Sequence, residues 1–324
     1  MSTRVRKAAA GLAVLATAAG AACLARLLVG GPRLGWAESD AILSLRIDRV
    51  AVGSAVGAGL AVAGVLLQSL LRNPLAAPDL LGLSAGAGFA VTVTALLSGG
   101  MIGVAASAGP ALVGAMAVLG LVWLLAQRRG LIDPVTMILV GVIVAVLLGA
   151  ATMLVRTLLP DQGQGIGRWM MGAISDDAPR WAVGVVWALV LFVGGAAVAM
   201  GRMFDASSLG EDEARATGVP VGWVRSLQLI GAGVLTAGTI VLAGPVGFVG
   251  LVCPHLARLL VGPAHRVLIM GAALAGIALV VGADAAVKAF PGPGGRVPVG
   301  VVTSLIGGPV FLALLLRSRR AAQV

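Results

Sequence analysis

The 324-residue chain contains no tyrosine, only two histidines and two cysteines, and charged residues make up just 11% of it. Each shortage excludes something. Cys23 and Cys253 both lie within apolar runs, without the spacing of a metal site or a redox pair, and read as small buried hydrophobes. The chain has no HExxH, no GxSxG with a partner histidine and no paired aspartates in adjacent apolar segments. That leaves no recognisable constellation for intramembrane hydrolysis. Acids are scarcest of all, 13 Asp and Glu against 23 Lys and Arg, and only Asp284 falls inside a predicted span. A carrier driven by protons or sodium needs ionisable groups near mid-membrane. With so few here, the energy for any transport is expected from another subunit. The net charge of +10 does not mark a nucleic-acid binder, because the basic residues are scattered through short loops without a block of five or six.

What is abundant is apolar. Hydrophobic residues make up 59%, mean hydropathy is +1.04, and glycine contributes 48 residues. Runs near 20 residues recur from end to end, long enough to cross the hydrocarbon core as helices. Ten spans are predicted, near 8–29, 50–70, 81–98, 108–126, 134–155, 181–200, 226–243, 246–262, 267–290 and 297–316. The Gly-Pro of "AGPVG" (243–247) separates the seventh from the eighth. The opening "MSTRVRKAAAGLAVLATAAGAAC" imitates a cleaved leader, but its apolar stretch continues past Cys23 to about Gly30, so an uncleaved first helix is expected. Lys and Arg in the flanks divide fourteen to nine in favour of both termini in the cytoplasm. The fold class expected is all-α: one polytopic transmembrane domain over residues 1–324 with about ten transmembrane helices.

Four of the scarce acids, Asp205, Glu211, Asp212 and Glu213, fall in "DASSLGEDEARATGVPVG" (205–222), between the sixth and seventh spans. Ser208 three residues before Glu211 is a capping-box pattern, and acids fill the first turn where the helix dipole favours them. Arg215 follows Glu211 at i+4, Gly218 supplies a stop and Pro220 prevents continuation. A helix over about Leu209–Thr217 is predicted. It is too short to persist in water unless something packs on it: either its own protein or a cytoplasmic partner. Elsewhere, Pro74 and Pro78 of "RNPLAAPDLLG" (72–82) bar a continuous helix, with Asn73 placed to satisfy freed backbone groups. Pro254 kinks the eighth span, and His255 and Arg258 share a helix face. One histidine there, with no nearby ligand, is no metal site.

Four stretches, in order along nearly the whole chain, resemble the FecCD-type permeases of ABC importers for iron-siderophores, haem and vitamin B12. They are "RIDRVAVGSAVGAGLAVAGVLLQSLLRNPLAAPDLLGLSAGAG" (46–88), "SLGEDEARATGV" (208–219), "AGPVGFVGLVCPHLARLLVGPAHR" (243–266) and "PVGVVTSLIGGPVFLALLLR" (298–317). The resemblance implies a type II importer permease in the cytoplasmic (inner) membrane, pairing with a second permease as a homo- or heterodimer. Two cytoplasmic ABC ATPase subunits would dock on it and a binding protein would deliver cargo from outside. The chain itself would bind no cofactor and catalyse no reaction; ATP and Mg belong to the ATPase. The cargo implied is a ferric siderophore or related metal chelate, with haem or cobalamin as the alternative and an ATP-independent carrier or channel as the different-class one. The ATPase-coupling residues would be Ser208, Leu209, Gly210, Glu211, Asp212, Ala214, Arg215 and Gly218. Asn73, Pro74, Pro78, Pro254, His255 and Arg258 would form a cytoplasmic gate or interface. Arg46, Arg49 and Lys288 would meet acids of the binding protein. Gly57, Gly64 and Gln68 are candidates for the translocation path. Lys288, where Arg is common, and Arg296, where Glu is usual, depart from the family pattern; Lys keeps the charge but loses the bidentate fork for a carboxylate.

Overall fold

Runs of Ala, Leu, Val and Gly can satisfy every backbone polar group internally by coiling, which is what lipid demands of a spanning segment. The computed structural model describes residues 3–30, 35–37, 39–99, 104–128, 131–158, 164–174, 178–290 and 297–321. Among them, seven helices are long and apolar enough to cross a bilayer: α1 (Thr3–Leu28), α2 (Asp40–Leu70), α4 (Val104–Leu125), α5 (Pro134–Thr157), α7 (Arg180–Ala199), α10 (Val221–Ala243) and α12 (His265–Ala289). Shorter apolar stretches lie in α3 (Leu83–Leu97), α11 (Val249–Val261) and α13 (Val299–Ala321). The small elements are α6 (Gln164–Met170), α8 (Gly201–Leu209), α9 (Glu211–Ala216), a 3-10 turn (Pro78–Leu81) and an antiparallel ribbon of β1 (Gln127–Arg128) and β2 (Leu131–Ile132).

Each of the ten predicted spans falls on one apolar helix, but the third, on α3 with 15 residues, and the eighth are shorter than a full crossing. With 13 residues, α11 is about 20 Å long, well short of a bilayer core of ~30 Å. Gly244 and Phe248 both have left-handed φ, +65° and +66°, and in the turn between them Val246 is buried while Pro245 and Gly247 are half-buried. Irregular backbone at such depth is tolerated only where protein, not lipid, surrounds it. α11 therefore starts inside the bundle, beside Leu60 and Gly64 of α2. The second difference is α6, which lies in a stretch left unassigned by the pattern of apolar runs; Trp169 at its end and Ile174 just beyond are buried in the core.

The axis of the bundle is α2, buried at every residue from Val52 to Leu70. Its glycines make that possible. A Cβ on Gly57 would lie 2.2 Å from the carbonyl oxygen of Gly276 in α12, and one on Gly276 would lie 2.0 Å from that of Gly57. A Cβ on Gly64 would lie 1.9 Å from the Gly250 oxygen of α11. Pro254 has no N–H to offer that carbonyl, which is thus left to lie against Gly64. Gln68 is equally interior: its Nε2 donates to the carbonyls of Ala76 and Leu251 at 3.4 Å each. Gly57, Gly64 and Gln68 are therefore packing residues of the protomer's centre, not the lining of a path. Helices in lipid associate through such close approach of small residues, and the sequence alone could not say which face of α2 meets which neighbour.

Overpacking at these contacts costs about 1–3 kcal/mol. Gly64→Leu is expected to lower the thermal unfolding midpoint in detergent clearly, whereas Gly20→Leu, where an added Cβ meets nothing within 4 Å, leaves it unchanged.

Candidate coupling segment and a buried charge cluster

The acidic stretch folds as two helices, not one. Ser208 does not cap: its Oγ donates to the Asp205 carbonyl at 2.7 Å, inside α8. Gly210, in extended conformation (φ 170°, ψ 165°), ends α8 and starts α9, whose first helical bond runs from Ala214 N to Gly210 O at 3.2 Å. The Glu213 carboxylate folds back over Gly210, as the third-position acid of a capping box does. The expected stop holds: Gly218 has φ +78°, and Val219 N closes onto the Ala214 carbonyl at 3.1 Å. Ala214 is buried against the protein, while Leu209 is 75% exposed beside it. The side chains of Glu211, Asp212 and Arg215, and with them the expected Glu211–Arg215 pair, lie outside the described residues.

Two anchors hold α8. Arg72, in left-handed backbone (φ +48°) just past α2, donates from Nε and Nη2 to the Ser207 carbonyl at 3.0 and 2.8 Å. Asp205 Oδ1 accepts from His265 N at 3.0 Å and pairs with His265 Nδ1 at 2.6 Å. Next to Arg72 the turn forms as read: Asn73 Oδ1 accepts from Leu75 N at 2.9 Å, and Pro78, after exposed Pro74, opens the 3-10 turn. Asp79 on that turn is crowded by protein, which pushes its carboxyl up to about 6, and a Ser84 hydrogen bond opposes the shift. Its side chain is nonetheless open to water, so hydration tempers the effect. At the start of α5, Asp133 caps the helix, and bonds from the Thr136 side chain and backbone hold its carboxyl below the usual range. The β1–β2 ribbon belongs to this same end, since Arg225 of α10 donates to the Ile132 carbonyl at 3.3 Å. On α11, Arg258 Nη2 donates to Gln68 Oε1 at 3.4 Å, and half-buried His255 has no partner for Nδ1 among the described residues. No group of three His, Cys, Asp or Glu fit for a metal occurs among the described residues.

At the opposite end, three helices meet on one carboxylate. Asp284 of α12 receives Arg26 Nε of α1 at 2.5 Å, and Arg49 Nε and Nη2 of α2 at 2.9 and 2.7 Å. All three side chains are at most 6% exposed. Two guanidiniums on one carboxylate leave a positive excess, and the carbonyl end of α1 offsets part of it: Arg26 Nη1 also donates to Val29 O at 3.2 Å. Arg49 is thus consumed inside the chain and does not present its charge at the surface, contrary to the expectation that it meets acids of a binding protein. Arg46 is half-buried, its Nη1 donating to the Leu27 and Gly35 carbonyls at 2.6 and 2.8 Å. Lys288 sits half-buried in the last turn of α12, and Arg296 lies outside the described residues. Sequence reasoning singled out Asp284 but missed its partners. The available signal was Arg26, an arginine inside the first apolar run.

A bundle of helices long and apolar enough to cross a bilayer is the frame of a membrane-spanning protein. The profile of the FecCD transport family matches residues 8–317, and the chain belongs to that family. It is 40% identical to the cobalamin import system permease protein BtuC of Halobacterium salinarum, over 84% of this chain and 72% of that protein. It is 35% identical to the ferric enterobactin transport system permease protein FepD of Escherichia coli, over 88% and 84%. A solved ABC transporter assigned to the metal-chelate type, in an inward-facing conformation, superposes with a TM-score of 0.83 at 26% identity, covering 94% of this chain and 98% of that one. The chain is the membrane-spanning permease subunit of an ABC importer, with the type II permease architecture.

Removing one partner of a buried ion pair costs about 3–5 kcal/mol, because it strands the other charge. Asp284→Ala, which strands two arginines, is expected to lower the unfolding midpoint in nanodiscs more than Arg26→Met, which leaves the Arg49–Asp284 pair intact.

Proposed function

We propose that this permease carries a ferric siderophore or a related metal chelate inward across the cytoplasmic membrane, driven by a separate ATPase. The observation that supports it most directly is the α8–α9 segment: firmly anchored on one side, with Leu209 exposed on the other, in a chain that matches the family over residues 8–317. In this reading that end faces the cytoplasm, with both chain termini. Residues Ser208 to Gly218 are the contact with one of two ABC ATPases, which bind ATP and Mg. Asn73, Pro74 and Pro78, with Pro254, His255 and Arg258, lie behind that contact as gate or interface. The Asp284 end faces outward, where Arg46 and Lys288 remain the candidates to meet acids of a binding protein. Arg49 acts there indirectly, by holding Asp284. A second permease subunit completes the path. In place of the glycines of α2, the path is assigned to the groove lined by Met170, Met171, Pro245, Gly247, Gly300 and Ser304, where α6, the α10–α11 connection and α13 leave the surface concave.

Haem or cobalamin is the second reading, favoured by the 40% identity to a cobalamin permease. Vesicles containing the complete complex and offered labelled ferric chelates, haem or cobalamin distinguish the readings. Accumulation of a ferric chelate that needs both ATP and the binding protein is expected; accumulation of cobalamin or haem alone selects the alternative, and uptake by the permease without ATPase overturns both.

Gly210→Trp and Glu211→Lys are expected to leave the permease inserted while lowering ATP-driven uptake by roughly an order of magnitude, the size of a typical coupling energy. A Cβ added at Gly210 has the movable end of Glu213 as its nearest neighbour, and the extended backbone there accepts any residue, so the fold itself should tolerate the change.

A further inference from the structure

The N-terminus of α12 lacks a cap of its own, since Ala264 at the capping position offers no side-chain acceptor. The cap comes from another element: Asp205 of α8 accepts the His265 backbone N–H at 3.0 Å and, with the same oxygen, meets Nδ1 of the His265 ring at 2.6 Å. A carboxylate at that place also complements the positive end of the helix dipole. Phe204, one residue before Asp205, stands edge-on to the imidazole with ring centroids 5.9 Å apart and planes at 75°. The ring is therefore held on two sides by consecutive residues of α8. Arg266 completes the seam, with its Cγ and backbone so close to Gly201 that an added Cβ would lie 2.6 Å from Cγ.

We propose that the Asp205–His265 pair is the joint through which movement of the α8–α9 segment is delivered to α12, making both of them positioning residues for transport. The inference rests on reading α8–α9 as the ATPase-coupling segment. Beyond the joint, α12 is in backbone contact with α2 at Gly57–Gly276 and ends its span in the Arg26–Arg49–Asp284 cluster. His265 and Asp284 are about 28 Å apart along one helix. A displacement of α8 is thus passed to the far end of the bundle by a helix held at its start, middle and end.

The test uses the complete complex of permease, ATPase and binding protein in lipid vesicles, with stimulation of ATP hydrolysis by the binding protein as readout. Asp205→Ala and His265→Ala are expected to assemble with the ATPase yet lose stimulation by about tenfold. His265→Asn, whose amide nitrogen falls near the place of Nδ1, should retain most of it; His265→Gln, which reaches towards the place of Nε2, should not. Equal behaviour of the Asn and Gln variants overturns the proposal, and this comparison decides alone if either alanine variant fails to insert. Normal stimulation in both alanine variants, beside its loss in Gly210→Trp, also overturns the joint while leaving the coupling segment in place. Normal stimulation in Gly210→Trp itself removes the coupling reading on which the joint depends.

Discussion

Backbone contact between helices at glycine pairs is the constraint on which the rest of this bundle hangs. Lipid tails are as apolar as leucine, so burying apolar side chains between helices gains little, and close van der Waals approach has to supply the cohesion. α2 obtains it at Gly57 against Gly276 and at Gly64 against Gly250, while Gly59 leaves room for the side-chain methyl of Thr239 in α10. α12, α10 and α11 are thereby fixed around one axis, and the ends of α2 are carried to defined places. One of these ends brings Arg72 to α8, and the other brings Arg49 to Asp284.

Both ends of the α2–α12 pair are closed by charge. At one end a single carboxylate, Asp284, gathers arginines from two other helices in an almost dry site. At the other, Asp205 supplies the missing cap of α12 from a neighbouring element. A chain with 13 acids in 324 residues places two of them where they tie distant segments together. The buried Asp284 cluster adds little net stability over apolar packing, but losing one partner there is costly. The effect of both contacts is to fix which helices meet and at what height.

The apolar segments were legible in the sequence, because a run of about 20 residues without charge has no stable alternative to a helix in lipid. The turn at Asn73–Pro78 and the stop at Gly218 were legible too, since each depends on backbone chemistry within a few residues. The start of α9 was not. Ser208 followed by Glu211 satisfies the capping pattern, yet Ser208 lies in α8, a helix whose anchors Arg72 and His265 come from remote parts of the chain. The short α11 was half legible: Pro254 and the Gly-Pro turn announced irregularity, but only Gly64 of α2 makes room for the carbonyl that Pro254 leaves unbonded.

By itself, then, the sequence determined that this chain is a membrane helix bundle and that four of its 13 acids gather in one connecting segment. These are properties of composition and of short-range pattern, carried by each segment whatever its neighbours. Tertiary structure alone decided which glycines are contacts and not lining, which arginines Asp284 consumes, and that the connecting segment is two helices joined to α12. Those depend on which faces meet across separations of 60 to 258 residues, and helical periodicity marks a face without naming what it will touch.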